Sequence, residues 1–224
     1  KLKNQLKKGQ ILIDMSSTKK KTAIKIEKNV RPKAYFLDAP VSGGTLGAEK
    51  AQLAIMVGGK KRIFNKVKNL FSTMGKATYV GETGSGQVAK LANQAIVGIT
   101  IGAVSEALIL SKAAGANPKA VREAIKNGFA GSPILENHGK RILENNFKPG
   151  GKSSTQLKDM KNIIETAKDS NVHLPISNKV KKLYALMVKK GKSNLDHSAL
   201  YCCLRDLKNI DPKIDWCLNN YRNI

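Results

Sequence analysis

Lys90 and Asn93 stand three residues apart in a long apolar stretch, so on a helix they share one face. A lysine so placed could be a catalytic proton donor to a small acidic substrate, with the asparagine as its polar partner on the same face. A lysine near the start of an apolar helix opposes the positive end of the helix dipole and is costly to desolvate. Such a cost can mark a functional group, or the side chain can snorkel and carry its ammonium to water. Two other groupings could serve the same chemistry. Ser42-Gly43-Gly44 ends a strand-like run, and its bare backbone N–H groups suit a carboxylate; an ordinary glycine turn is spelled the same way. Ser16, Ser17 and Thr18 follow the run ILID at 11–14, in the place where α/β sheets present ligand-binding residues. At least one of them is expected to cap the next helix. Lys158-Asp159 interrupts a helical pattern in which Leu157, Met160, Ile163, Ile164 and Ala167 point inward. It reads as a functional pair or as a solvated surface pair.

Other patterns imitate chemistry without supporting it. Gly84-Ser-Gly86-Gln-Val-Ala89 follows a strand and opens a helix, as a dinucleotide fingerprint does. Its helix is too long, no parallel strand returns after it, and Glu106 falls mid-helix where an acidic residue at a strand end is needed. A pyrophosphate site is not expected there. His138, His173 and His197 lie far apart, with no HxxxH or HExxH spacing, so no zinc site is expected either. His197 and Ser198 sit in a helix first turn, where capping is the expected role, and no GxSxG elbow occurs.

To position these residues, the chain begins with alternating elements. A helix end at 2–6 stops at Gly9; strands are expected at 11–14, 34–37, 52–57 and 76–80, with helices at 19–30 and 61–74. Gly58-Gly59 reads as a turn, and Ile63, Phe64, Val67, Leu70 and Phe71 as the inner face of the second helix. The order predicts a doubly wound α/β sheet. After Gly81 strand signals stop. A helix at 87–114 is followed by others at 118–126, 134–144, 155–168 and 176–188, and by a last one that Asp196 caps and that runs to Leu207. The expected domains are therefore 1–82 and 83–224. The tail from Asp211, with Trp216, has no assignment.

Charge narrows the partners. The 40 Lys and Arg against 16 Asp and Glu give a net charge of +24. The excess is mostly lysine, spread from Lys1 to Lys213, with few arginines and little aromatic interleaving. That pattern suits a field attracting small carboxylates better than a nucleic-acid footprint. Cys202, Cys203 and Cys217 form no CxxC and read as reduced thiols of a cytoplasmic protein; the start shows no signal-peptide pattern. The run Leu91 to Leu110 holds Asn93, Gln94, Ser105 and Glu106, so it is expected to be a buried core helix and not a membrane span. Its Gly98 and Gly102 then mark close helix packing.

Four stretches, taken together, are specific. DAPVSGG at 38–44, GGKKRIF at 58–64, GSGQVAKLANQ at 84–94 and QLKDMKN at 156–162 resemble the β-hydroxyacid dehydrogenase family over about residues 1–207. The stretches at 129–149 and 196–200 look closest to its tartronate semialdehyde (2-hydroxy-3-oxopropionate) branch. The resemblance implies the C-terminal part of a Rossmann domain, then an all-α domain whose long first helix bridges the two. It implies hydride transfer between NAD or NADP and a small 3-hydroxy acid or its semialdehyde. By position, Lys90 matches the family's catalytic lysine and Asn93 its partner asparagine. Ser42, Gly43 and Gly44 match the loop binding the substrate carboxylate, and Ser16 the substrate-side serine. Lys158 matches the lysine that closes over cofactor and substrate, followed by Asp159. Lys90 also separates the chain from imine-reducing relatives, which replace this lysine. Assembly as a homo-dimer or homo-tetramer through the helical domain is expected.

One departure is large. The GxGxxG half of the family's Rossmann domain is absent from this sequence, and Thr18-Lys19-Lys20 stands where the family usually carries a proline. The 224 residues are therefore expected to keep the catalytic lysine and the carboxylate loop but to bind NAD(P) weakly. Calorimetry with NADH and NADPH checks this, a micromolar affinity contradicting it. The competing reading is a non-enzymatic basic protein that binds anions or nucleic acid through its lysines, marked by a steep salt dependence.

Overall fold

The computed structural model describes residues 2–209. Two compact units are present, Lys1–Asn93 and Gln94–Ile224. In the first, α1 (Leu2–Gln5) leads to β1 (Gln10–Asp14), α2 (Lys20–Val30) and β2 (Ala34–Asp38). Then come β3 (Val41–Ser42), α3 (Gly44–Glu49), β4 (Leu53–Gly59), α4 (Lys61–Ser72) and β5 (Gly75–Gly81). The strands form one sheet ordered β1-β2-β4-β3, with β5 also on β4. β1 and β2 run parallel, as do β4 and β5, but β4 is antiparallel to β2 and β3. The sheet is thus mixed, and the alternation of elements alone does not reveal the reversal. Apolar residues of the central strands (Leu37, Ile55 and Val57) are buried against Ile63, Phe64 and Phe71 of α4, which removes most of this apolar surface from water.

Several expectations are corrected here. Gly58 and Gly59 form no turn; they extend β4 and pair with Asp38 and Leu37. A Cβ at Gly58 would lie 2.6 Å from Asp38 Oδ1, so glycine is there for a close approach across strands. Leu70 is 52% exposed and not on the buried face of α4. α3 was not foreseen: Gly43 (φ 140°) precedes it and Gly44 (φ 62°) opens it, so the glycines that read as a turn start a short helix. Neither Ser16 nor Thr18 caps α2. The cap position is Lys19, whose side chain makes no cap bond, while the Ser16 hydroxyl goes to Asp14 Oδ1 and that of Thr18 to the Lys19 carbonyl.

Helix α5 (Ser85–Ala113) runs on through the boundary between the units. After it come α6 (Pro118–Ile125), α7 (Pro133–Leu143), α8 (Ser153–Asp169), α9 (Pro175–Lys189) and α10 (Leu200–Arg205). Asn117 and Ser132 cap α6 and α7 through their side chains, each followed by proline at the first helical position. Asp196 caps the 3₁₀ turn that leads into α10. Val104 and Leu108 of α5 pack with Leu135 and Ile142 of α7. α5 is long and apolar enough to cross a membrane by length and composition, and 33% of its most apolar window is buried. It is not buried all round, as a core helix would be: Ile96 and Leu110 are 66% and 69% exposed. Of its two glycines, Gly98 is the one packed closely, since a Cβ there would meet Gln156 Nε2 at 2.7 Å; nothing lies within 4 Å of one at Gly102. Cys202 and Cys203 are free thiols, whereas Cys217 and Trp216 lie outside the described residues.

Candidate functional site

The start of α5 carries Lys90 and Asn93, and its anchoring begins in the preceding loop. A helix leaves its first N–H groups without intrahelical partners, and a side chain at its cap usually takes one. Gly84 cannot supply a side chain: its φ is +93°, and a Cβ there would stand 2.8 Å from Lys20 Cγ. The missing acceptor comes from β2. Asp38, fully buried, takes the Gly84 N–H on Oδ1 (2.8 Å) and the Gln87 N–H on Oδ2 (2.9 Å). Burial pushes its carboxyl above the usual range, against the pull of those two bonds. A protein carboxylate thus occupies the end of α5, and the Gly84–Ala89 segment is no pyrophosphate cradle. Its resemblance to one comes from the same need for a backbone without side chains.

Gln87 then joins this helix to β1. Its side chain is fully buried, accepts from Thr18 N–H (2.8 Å) and donates to the Ser16 carbonyl (2.8 Å). Ser16 itself is exposed at the C-terminal end of β1, with its hydroxyl and N–H on Asp14 Oδ1 at 2.6 and 3.0 Å. Because α5 begins two residues earlier than expected, Lys90 stands in its second turn, not its first; both Lys90 and Asn93 are half-buried. Ser42 ends β3 half-buried, and Gly43 and Gly44 are exposed.

In the helical unit Lys158 and Asp159 prove unequal. Asp159 is 1% exposed and accepts from Gln94 Nε2 (2.8 Å), while Lys158 Nζ lies 3.1 Å from its other oxygen with its side chain half in solvent. Gln156, also buried, donates to the Gln94 carbonyl at 3.1 Å. The pair is therefore no solvated surface pair: its acidic half belongs to a buried polar network, which is stable because its members are hydrogen-bonded.

Asp196 anchors the loop before α8. One oxygen takes the Gly150 and Gly151 N–H groups (2.9 and 3.1 Å), with Arg141 at 3.6 Å, and the other takes the Ser198 N–H and hydroxyl. The loop leading into α8 is thereby fixed. Burial alone would raise the Asp196 carboxyl, but the Ser198 hydroxyl, the Gly151 N–H and the neighbouring His197 hold it below the usual range.

Histidines that look isolated in sequence meet beside it. His138 and His197 bring their Nε2 atoms to 2.8 Å, and with Asp196 their potential ligand atoms lie within 4.8 Å of one another. This geometry is a hydrogen bond. Two nitrogens on one zinc ion, each at about 2.0–2.1 Å, would stand about 3.3 Å apart in a tetrahedral site. Metal binding through both Nε2 atoms would also put a proton on His138 Nδ1, which is buried without a partner. We assign the proton to His138 Nε2, donating to His197 Nε2.

Burial, with Arg141 and His138 nearby, pushes His197 down to about 4 from 6.5, Asp196 opposing. The folded state therefore binds fewer protons than the unfolded one between those values, and stability rises with pH. Full stability is expected above pH 6.5, a loss of about 2 kcal/mol by pH 5, and about 3 kcal/mol below pH 4. Urea unfolding at pH 7 and 5 checks this; His197→Gln should flatten most of the difference.

Comparison with known proteins identifies the framework. Residues 84–204 match the NAD-binding domain of NADP-dependent 3-hydroxyisobutyrate dehydrogenase, and residues 1–83 the NAD binding domain of 6-phosphogluconate dehydrogenase. The chain is 43% identical over 204 residues to 2-hydroxy-3-oxopropionate reductase of Escherichia coli, covering 90% of this chain and 70% of that protein. It is 39% identical over 197 residues to an uncharacterized oxidoreductase of Bacillus subtilis, covering 87% and 68%. A solved 3-hydroxyisobutyrate dehydrogenase of Mycobacterium tuberculosis superposes with a TM-score of 0.81 at 25% identity, over 91% of this chain and 72% of that one. Both matched domains bind nicotinamide dinucleotides, so the cofactor is NAD or NADP. The chain belongs to the β-hydroxyacid dehydrogenase family, the NAD(P)-dependent oxidoreductases that include 3-hydroxyisobutyrate dehydrogenase.

Proposed function

We propose that this protein reduces 2-hydroxy-3-oxopropionate to glycerate. The observation that carries the reading is the 43% identity to the Escherichia coli enzyme of that name, which spans Lys90 and its surroundings. A bound nicotinamide cofactor would supply hydride to the aldehyde carbon. Lys90 gives the carbonyl oxygen its proton as hydride arrives, and the resulting amine recovers a proton from water. Asn93, one turn on, orients the same oxygen. The backbone N–H groups of Gly43 and Gly44, with Ser42, hold the substrate carboxylate, and positive φ at both glycines leaves these groups unshielded. Ser16, exposed after β1, contributes to the substrate side, while Lys158 and Asp159 serve the cofactor. The absence of a Cβ at residues 43 and 44 lets a carboxylate approach the backbone, and the net charge of +24 draws small anions in.

The nearest alternative is a reductase of the methyl-bearing semialdehyde that corresponds to 3-hydroxyisobutyrate. A hydroxyl in place of that methyl is distinguished by hydrogen bonding, and a site built to bond it rejects the methyl analogue strongly. Steady-state kinetics of the full-length protein on both aldehydes decides between them. The proposal expects kcat/KM for 2-hydroxy-3-oxopropionate to be at least about 100-fold higher. Equal values, or the reverse order, would reassign the substrate.

A further inference from the structure

The structure assigns positioning roles to two residues outside the matched site positions, Asp38 and Gln87. We infer that Asp38 seats the helix carrying Lys90, and that Gln87 clamps the Ser16 segment to that same helix. The inference rests on Lys90 and Ser16 acting as proposed above.

The geometry separates the two jobs. Asp38 lies in β2, at the centre of the sheet, and its carboxylate is the side chain that caps α5 from outside the helix. The Gly84 and Gln87 N–H groups, six and three residues before Lys90, are held in a fork, so the start of α5 is tied to the sheet. Glycines enforce the fit: a Cβ at Gly86 would come within 2.4 Å of the Asp38 carbonyl, and one at Gly58 within 2.6 Å of Asp38 Oδ1. With both neighbours reduced to backbone, the carboxylate has room between them. A sideways shift of about 1 Å at a proton donor can cost about 100-fold in rate.

Gln87 acts on the other side. Its amide oxygen takes Thr18 N–H and its amide nitrogen gives to the Ser16 carbonyl, so one side chain closes a ring between β1's exit and α5. Such a carboxamide needs both an acceptor and a donor in fixed order, and glutamate keeps only the acceptor. Ser16 would then lose its tie while Lys90 keeps its own.

The test is a kinetic dissociation in the full-length protein, with the 2-hydroxy-3-oxopropionate reaction as the assay. Asp38→Asn keeps shape but offers one acceptor where two are needed, and is expected to lower kcat about 10- to 100-fold with KM within threefold. Gln87→Glu is expected to raise KM for the aldehyde about 10-fold with kcat within threefold, because its carboxylate repels the Ser16 carbonyl. Amide hydrogen exchange gives a second readout that needs no activity. Gly84 and Gln87 should lose protection in Asp38→Asn, and Thr18 should keep it in Gln87→Glu. Equal loss of kcat and KM quality in both variants, or unchanged kinetics with the predicted exchange, would overturn the assignment. If Lys90→Ala were itself fully active, the reading of the site would fail, whatever the exchange data showed of the two locks.

Discussion

Replacing Lys90 with alanine in the full-length protein is expected to lower the rate of aldehyde reduction about 10²–10⁴-fold, the usual worth of a positioned general acid. The loss should fall equally on kcat and kcat/KM, because the proton moves only in the transition state. Substrate affinity should change little, since the proposed site holds the carboxylate through Ser42, Gly43 and Gly44 and not through Lys90. Arginine should not rescue the reaction: its guanidinium keeps its proton at any working pH, and its planar fork does not match a point donor. Small primary amines added to Lys90→Ala should restore part of the rate. The second turn of α5 explains why this position suits the task. It is past the helix end that Asp38 caps, and it is half-buried, so the amine is partly shielded from water yet reachable. Turnover within threefold of the unaltered protein would remove Lys90 from the mechanism.

Asp196→Ala should be the most destabilising single change in the helical unit, by about 3–5 kcal/mol. The carboxylate is 1% exposed and serves the Gly150, Gly151 and Ser198 N–H groups, the Ser198 hydroxyl and the Arg141 guanidinium. Truncation strands several buried donors at once, each costing about 1–3 kcal/mol when unpaired. The loop into α8 should loosen, and with it the helix that presents Lys158. A matched control is Asp206→Ala, whose pairs with Arg205 and Lys192 are in solvent and should be worth less than about 1 kcal/mol. Urea unfolding of the two variants followed by circular dichroism separates them. Equal, small losses would mean that the hub is not a hub.

Parts of this arrangement could be read from the sequence because they depend on local pattern. The long helix at the boundary, the caps Asn117 and Asp196, and the inward faces of α8 and α9 follow from spacing alone. Family resemblance supplied the rest of the expected site, through DAPVSGG and GSGQVAKLANQ. What stayed hidden depends on pairs distant in the chain. Asp38 and Gln87 are 49 residues apart at their bond, and His138 and His197 are 59 apart, so no window holds both partners. The antiparallel reversal of β4 was equally invisible, because Gly58 and Gly59 look like a turn until the close approach of Asp38 is known. Asp38 itself had a usable signal: it is an acidic residue at the end of an apolar strand, and the helix after Gly84 has a glycine at its cap position. A helix without a local cap asks where its acceptor is, and that question has an answer in β2.

The most direct test of the central claim follows an isotope. The full-length protein is given 2-hydroxy-3-oxopropionate with NADH or NADPH deuterated at both C4 positions of the nicotinamide, and the glycerate is analysed by mass spectrometry and NMR. The account predicts one deuterium per product molecule, at C3, and its near disappearance over the same time with Lys90→Ala. Glycerate without deuterium at C3, or equal labelling by the Lys90→Ala variant, would contradict it.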